Sequence, residues 1–177
     1  MDVTPNGRTL VFLQRGVRGS VNLWTMPLDG SGRPVALSGT PFIETHARFS
    51  PDGRFLAFAS NESGASEIYL SSFPTTGPKI RISSGGGMFP RWNRDGRELF
   101  YLADRGRRVV SVPIDLRRGE PGKPSTVFTL NGTPIRDYDV SADGRRFLAH
   151  VPLSAGDDQP FTAILGWPRG GDPDRRP

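Results

Sequence analysis

Four charged residues stand at one fixed distance from four glycines. Asp2, Arg48, Arg91 and Asp139 each lie five residues before the glycine of an Asn-Gly or Asp-Gly pair. Seven residues before glycine stand His46, Phe89 and Asp137, with Glu44 and Arg136 nearby. Side chains at one place in a repeated unit can converge on a common axis, and two chemistries are then open. Buried charges need partners, so Asp2 would pair with Arg48 and Arg91 with Asp139 across neighbouring units. Alternatively, Glu44, His46, Arg48, Arg91, Arg136, Asp137 and Asp139 line a polar pocket for a small anionic or peptide ligand.

Catalytic and metal chemistry find less support. Cysteine is absent, which excludes disulfides, thiol catalysis and thiolate metal sites. Glu44 and His46 fall on one side of a strand in regular alternation, but they supply two ligands where a structural zinc wants four. No metal and no cofactor are expected. His150, beside Phe147 and Leu148, reads as a packed or edge histidine. The run Ser83-Ser84-Gly85-Gly86-Gly87 lacks the spacing and the Lys-Ser/Thr end of a phosphate loop. No G-x-S-x-G elbow occurs. The chain itself is therefore expected not to be an enzyme.

The element that would position the charges is an inner strand ending in a tight corner. The corner glycines Gly7, Gly53, Gly96 and Gly144 recur 46, 43 and 48 residues apart. Aligned on them, Val3, Phe49, Trp92 and Val140 stand four before. Arg8, Arg54, Arg97 and Arg145 follow directly. Leu10, Leu56, Leu99 and Phe147 stand three after, and Phe12, Phe58, Tyr101 and Ala149 five after. Glycine accepts positive φ at the corner, and Asp or Asn can bond its own backbone there. A period in the forties with several strands per unit is the signature of propeller blades. The expected fold is all-β: a β-propeller segment of about four four-stranded blades in an incomplete ring. The approximate blades are 1–40, 41–84, 85–132 and 133–168. No helix-period segment of useful length is present.

The segment Ala47-Arg48-Phe49-Ser50-Pro51-Asp52-Gly53-Arg54-Phe55-Leu56-Ala57-Phe58-Ala59-Ser60, followed by Glu67-Ile68-Tyr69-Leu70, resembles a TolB-type (tryptophan–aspartate-repeat-like) β-propeller repeat. The segment from Tyr138 to Leu148 resembles the last blade of propellers fused behind bacterial serine/threonine kinase domains and transcriptional regulators. The resemblance covers roughly residues 1–168, with Asn6 standing where the other copies have Asp. It implies a non-catalytic propeller module for protein–protein interaction or ligand sensing. The alternative it leaves open is an accessory propeller of a larger enzyme, kinase-linked or peptidase-type, whose catalytic domain lies outside this chain. It also implies a periplasmic or extracytoplasmic setting, although this sequence carries no signal-peptide pattern.

Composition agrees with short strands and many turns. The 177 residues include 22 Gly, 17 Pro and 11 Phe. The formal net charge is +5, but the arginines are dispersed, many at the corners. They read as a soluble surface rather than a nucleic-acid site. No apolar run approaches the length of a membrane span, so no membrane insertion is expected. Trp92 replaces Phe49 in its column and is expected in the core. Trp24 matches Tyr69 and is expected between blades. Trp167 ends the last strand and is a candidate contact for a partner. Blade 1 opens on the stub Asp2-Val3-Thr4, and blade 4 has no outer strand after Trp167, so both ends read as cut. The expected partners are a missing propeller half, a second copy or another protein, unless the four blades close on themselves. The tail 169–177, rich in Gly, Pro, Asp and Arg, is expected to be disordered.

Overall fold

The computed structural model describes residues 1–74, 77–152 and the backbone of 162–164. Trp167 and the tail 169–177 lie outside the described residues. Four antiparallel sheets follow one another along the chain. Blade 1 contains β1 (Asp2–Val3), β2 (Thr9–Arg15), β3 (Val21–Pro27) and β4 (Val35–Ala36). Blade 2 contains β5 (Glu44–Phe49), β6 (Phe55–Ser60), β7 (Glu67–Ser72) and β8 (Ile80–Arg81). Blade 3 contains β9 (Met88–Trp92), β10 (Glu98–Ala103), β11 (Arg108–Asp115), β12 (Glu120–Pro121) and β13 (Ser125–Thr129). Blade 4 contains β14 (Asp137–Val140), β15 (Phe147–His150) and β16 (Thr162–Ile164). Blade 3 thus has a fifth strand beyond the expected four. Strand β11 runs on to Asp115, where the chain folds back: Gly119 takes φ +71° and donates to the Asp115 carbonyl at 2.7 Å. The only other helical features among the described residues are two short 3₁₀ turns, Val17–Gly19 and Asp104–Gly106.

The corners between first and second strands are built alike. Gly7, Gly53, Gly96 and Gly144 take φ of 70°, 71°, 72° and 71°. Each donates its N–H to the carbonyl three residues back, at 2.8 Å to Thr4, Ser50 and Ser141 and 3.2 Å to Asn93. In blade 2 the Ser50 hydroxyl donates to Asp52 Oδ1 at 2.6 Å, and the same Oδ1 accepts from Arg54 N–H at 3.1 Å. Ser50 Oγ also accepts from Phe55 N–H at 3.0 Å. Blade 4 repeats this with Ser141 and Asp143, and blade 1 with Thr4 and Asn6. Every donor of the corner is therefore satisfied locally, as a tight turn between two strands requires.

The strand side chains then sort by parity. Residues three and five after each corner glycine face the preceding blade, and residues four and six after face the following one. Leu56, Phe58 and Tyr69 of blade 2 pack with Val11 and Leu23 of blade 1. On the other face of blade 2, Ala57, Ala59, Ile68 and Leu70 pack with Leu99, Tyr101, Val110 and Val112 of blade 3. Phe100, Leu102 and Val109 of blade 3 pack with Tyr138, Phe147 and Ala149 of blade 4. The Phe147 ring meets Phe100 and Phe128 edge-on, at centroid distances of 5.3 and 5.4 Å. Three apolar clusters thus join four blades, and among the described residues none joins blade 4 to blade 1. Trp92 packs against the middle cluster, as expected. Trp24 does not sit between two blades. It pairs with Phe12 as Tyr69 pairs with Phe58, but on the face of blade 1 that no described blade covers.

Candidate ligand site at the inner strands

Strands β1, β5, β9 and β14 run side by side around an open cavity of about 580 Å³. Their position is set by the clusters behind them, and their polar side chains project into the space that the aromatic seams leave. The cavity is lined by Asp2, Arg48, Arg91, Asp137, Tyr138 and Asp139 among others. Four of the seven residues expected at a pocket therefore meet there: Arg48, Arg91, Asp137 and Asp139. His150, read from the sequence as a packed or edge residue, also reaches its wall.

The expected pairs form differently from seam to seam. Arg91 Nη2 lies 2.9 Å from Asp137 Oδ1, and its Nε donates to the Tyr138 carbonyl at 3.1 Å. Asp139, the expected partner, is at 3.9 Å and largely exposed. The Arg91 guanidinium also lies over the Tyr138 ring, 5.6 Å from its centroid. Asp2 does not take Arg48 as its direct partner. Its Oδ2 accepts the backbone N–H of Phe49 at 2.8 Å, while Arg48 Nη1 donates to the carbonyls of Met1 and Ala47 at 3.0 and 3.1 Å. The physical reason is reach: at this seam the first carboxylate meets the next blade's backbone before it meets the guanidinium.

Arg48 and Arg91 thus stand near one another on adjacent blades. Burial first, and then the charge of Arg91, push the Arg48 guanidinium below its ordinary value. The same two causes hold His46 below the usual imidazole range, with Asp137 opposing and Arg48 adding. Burial raises the Tyr138 phenol well above its ordinary value. Its hydroxyl and His46 Nδ1 are buried without a hydrogen-bond partner among the described residues. Two half-buried cations with acids on either flank favour a ligand that carries negative charge between them and offers hydrogen-bond donors at its edge.

Glu44, His46 and Arg136 are placed elsewhere. Glu44 and His46 do not share a side of β5, because the ladder slips between Thr45 and Arg48 and His46 takes φ +55°. This bulge sends Glu44 towards blade 1 and His46 towards blade 3. Glu44 is fully buried, accepting from the Ser38 hydroxyl, from Thr40 Oγ1 at 3.4 Å and from Leu23 N–H at 3.4 Å, with Lys79 Nζ at 3.7 Å. It holds the seam between blades 1 and 2. The His46 ring stacks on Phe89, the corresponding residue of blade 3, at 4.0 Å, and Phe89 has the same φ of 55°. Arg136 is exposed, and its N–H donates to the His150 carbonyl at 2.8 Å. The sequence reading did not single out Tyr138 as part of the cavity. Its column of aromatic and apolar residues marks it as core, and only the Arg91 guanidinium above it brings it to the site.

The chain matches no family model. It is 32% identical over 142 residues to a tricorn protease homolog from Streptomyces coelicolor, a match covering 75% of this chain and 12% of that protein. Among solved structures, TolB from Acinetobacter baumannii aligns with a TM-score of 0.67 at 18% identity, over 86% of this chain and 37% of that one. The tricorn protease aligns with a TM-score of 0.60 at 18% identity, over 90% of this chain and 14% of that one. The chain therefore spans a minor part of the proteins it resembles, and what these likenesses share with it is the repeat and the fold.

Proposed function

For a chain built of TolB-type β-propeller repeats, we propose a non-catalytic binding role, in which the cavity at the inner strands takes up an anionic ligand or the acidic segment of a peptide. The observation that carries this reading is the placement of Arg48 and Arg91 on adjacent blades at one open cavity. Arg91 is already held by Asp137 and the Tyr138 carbonyl, so its guanidinium is pre-oriented. Arg48 is held only through carbonyl contacts and is destabilised by its like-charged neighbour. A carboxylate bridging the two would relieve that repulsion, and charge-assisted bonds to arginine are the stronger kind. Asp137 and Asp139 at the rim disfavour ligands of uniform negative charge and suit a peptide with a basic or amide flank.

The test is calorimetric titration with two short peptides of one composition, one with clustered Glu residues and one with the same residues dispersed. Clustered acid is expected to bind in the micromolar range and to lose at least tenfold in the Arg48→Met, Arg91→Met double variant. Equal binding of both peptides, or binding unchanged in the variant, overturns the proposal.

A second reading, an accessory propeller of a larger peptidase-type enzyme, is supported by the 32% identity to the Streptomyces coelicolor protein. In that reading the cavity would hold the charged end of a peptide substrate for a catalytic part elsewhere. Both readings place ligand recognition on the same residues. They differ in whether the purified chain alone leaves a bound peptide intact while a longer protein containing it cleaves it.

A further inference from the structure

The columns that sort side chains between blades also describe the two outward faces. At three after glycine, Leu56, Leu99 and Phe147 are 3%, 0% and 2% exposed. Each is buried by the preceding blade. Their counterpart Leu10 in blade 1 has no preceding blade among the described residues and is only half-buried. Phe12, Trp24 and Met26 share that face with it and are half-buried too, through the pairs Leu10–Met26 and Phe12–Trp24. Val3, opposite Leu10, is 40% exposed. Blade 1 therefore wears, uncovered, the set of side chains that seals blades 2, 3 and 4 to their neighbours.

The matching half is at the other end of the same chain. At four after glycine, Val11, Ala57 and Phe100 are 0%, 0% and 1% exposed, each covered by the following blade. Their counterpart in blade 4 is Leu148, which is 54% exposed. At every internal seam the three-and-five columns of one blade meet the four-and-six columns of the blade before it. The chain carries one unused copy of each.

We propose that blade 4 of a second copy covers blade 1, and that blade 1 of the second copy covers blade 4 of the first, so that two chains close one eight-bladed ring. Area favours this occupant. A face of four strands ~4.8 Å apart and ~6 residues of ~3.3 Å long measures roughly 400 Å². One such seam buries about half of what a stable association commonly needs, and the two seams of a ring together reach the usual value of about 1,600 Å². A closed pair of copies satisfies both ends at once, whereas an open chain of copies always leaves one apolar face in water. At the axis Asp139 would stand beside Asp2 of the second copy, as Arg48 already stands beside Arg91 within the chain. Added salt should therefore tighten the ring, by screening that repulsion around an apolar contact.

Sedimentation of the 177-residue chain from 1 to 100 µM, at low and at high salt, tests this. The expected mass is twice 19.4 kDa, held more tightly at high salt. Trp24→Arg and Leu148→Arg lie at opposite ends, and each is expected to weaken the pair at least 50-fold while the circular dichroism stays that of the parent. Mixed in equal amounts, the two variants keep one intact seam between them and should associate where neither does alone. A chain of single mass throughout overturns the proposal. So does a pair that survives Leu148→Arg, which is what two copies of blade 1 meeting face to face would give, and so does a mixture that fails to recover association.

Discussion

The corners and the inner strands of the four blades derive from the same repeat, yet they have diverged to different degrees. The corners agree bond for bond: four glycines within two degrees of one φ, four carbonyl contacts, and an Asp or Asn oxygen taking the N–H two residues on. The inner strands keep a charge five residues before glycine but give it a new partner each time. Asp2 takes a backbone N–H, Arg48 two carbonyls, and Arg91 a carboxylate and a carbonyl. The corner is under a conformational demand that few side chains meet, and its bonds close within five residues. The inner strand faces a cavity, where geometry constrains little and the chemistry of a ligand can choose the residue. Alike regions hold the scaffold; unlike ones are where recognition has room to evolve.

Substitutions at the corners give the largest effects and test their equivalence. A β-carbon at Gly96 would meet Leu116 Cδ1 at 2.5 Å and Pro51 Cδ at 3.2 Å, on top of φ +72°. Gly96→Ala should cost about 2–4 kcal/mol in denaturant unfolding. At Gly7, where nothing lies within 4 Å, the left-handed strain acts alone and the cost should be about 1–2 kcal/mol. A Gly7→Ala variant as damaged as Gly96→Ala would show that the corners do not work independently. Ser50→Ala removes the acceptor of Phe55 N–H inside a fully buried corner, and the expected loss is about 1–2 kcal/mol. Restoring a hydroxyl with Thr, which blade 1 has at this place, should recover most of it.

The inner strands should respond to pH and charge more than to packing. His46 is held below its free value by burial and by Arg91. The unfolded chain therefore binds the proton first. His46 contributes stability that is present above about pH 6.5 and lost as pH falls through its folded value. Melting curves at successive pH values should show this slope in the parent, and His46→Phe, which can still stack on Phe89, should flatten it. A slope unchanged in the variant would assign it to the corner carboxylates, which titrate lower. The smallest effect is expected from Arg91→Met. Asp137 is half exposed, so the pair contributes under ~1 kcal/mol, while any anionic ligand of the cavity should be lost.

Much of the scaffold could be read from the sequence because the corner glycines are chemically forced. Once they are aligned, parity assigns Leu56 and Phe58 to one face and Ala57 and Ala59 to the other. What escaped was chemistry shared by unlike residues. Thr4, Ser50, Asn93 and Ser141 all accept the same backbone N–H three residues before glycine, but a hydroxyl and an amide do not look like one column. The sides taken by Glu44 and His46 were misjudged for a related reason. Alternation fails at the bulge, and the residues that bear its left-handed backbone are His46 and Phe89, not glycines that would have announced it. The fifth strand of blade 3 was missed because Arg117-Arg118-Gly119-Glu120-Pro121 has the composition of a loop.

The short range of the corner bonds bears on how the chain assembles. Closing a loop of a few residues costs little entropy, so each corner can nucleate its own hairpin before any seam exists. Four such nuclei along one polypeptide make early folding a parallel process. The slow event is then the docking of finished sheets, and a nascent chain could hold its first blade in native form while the last is still being synthesised.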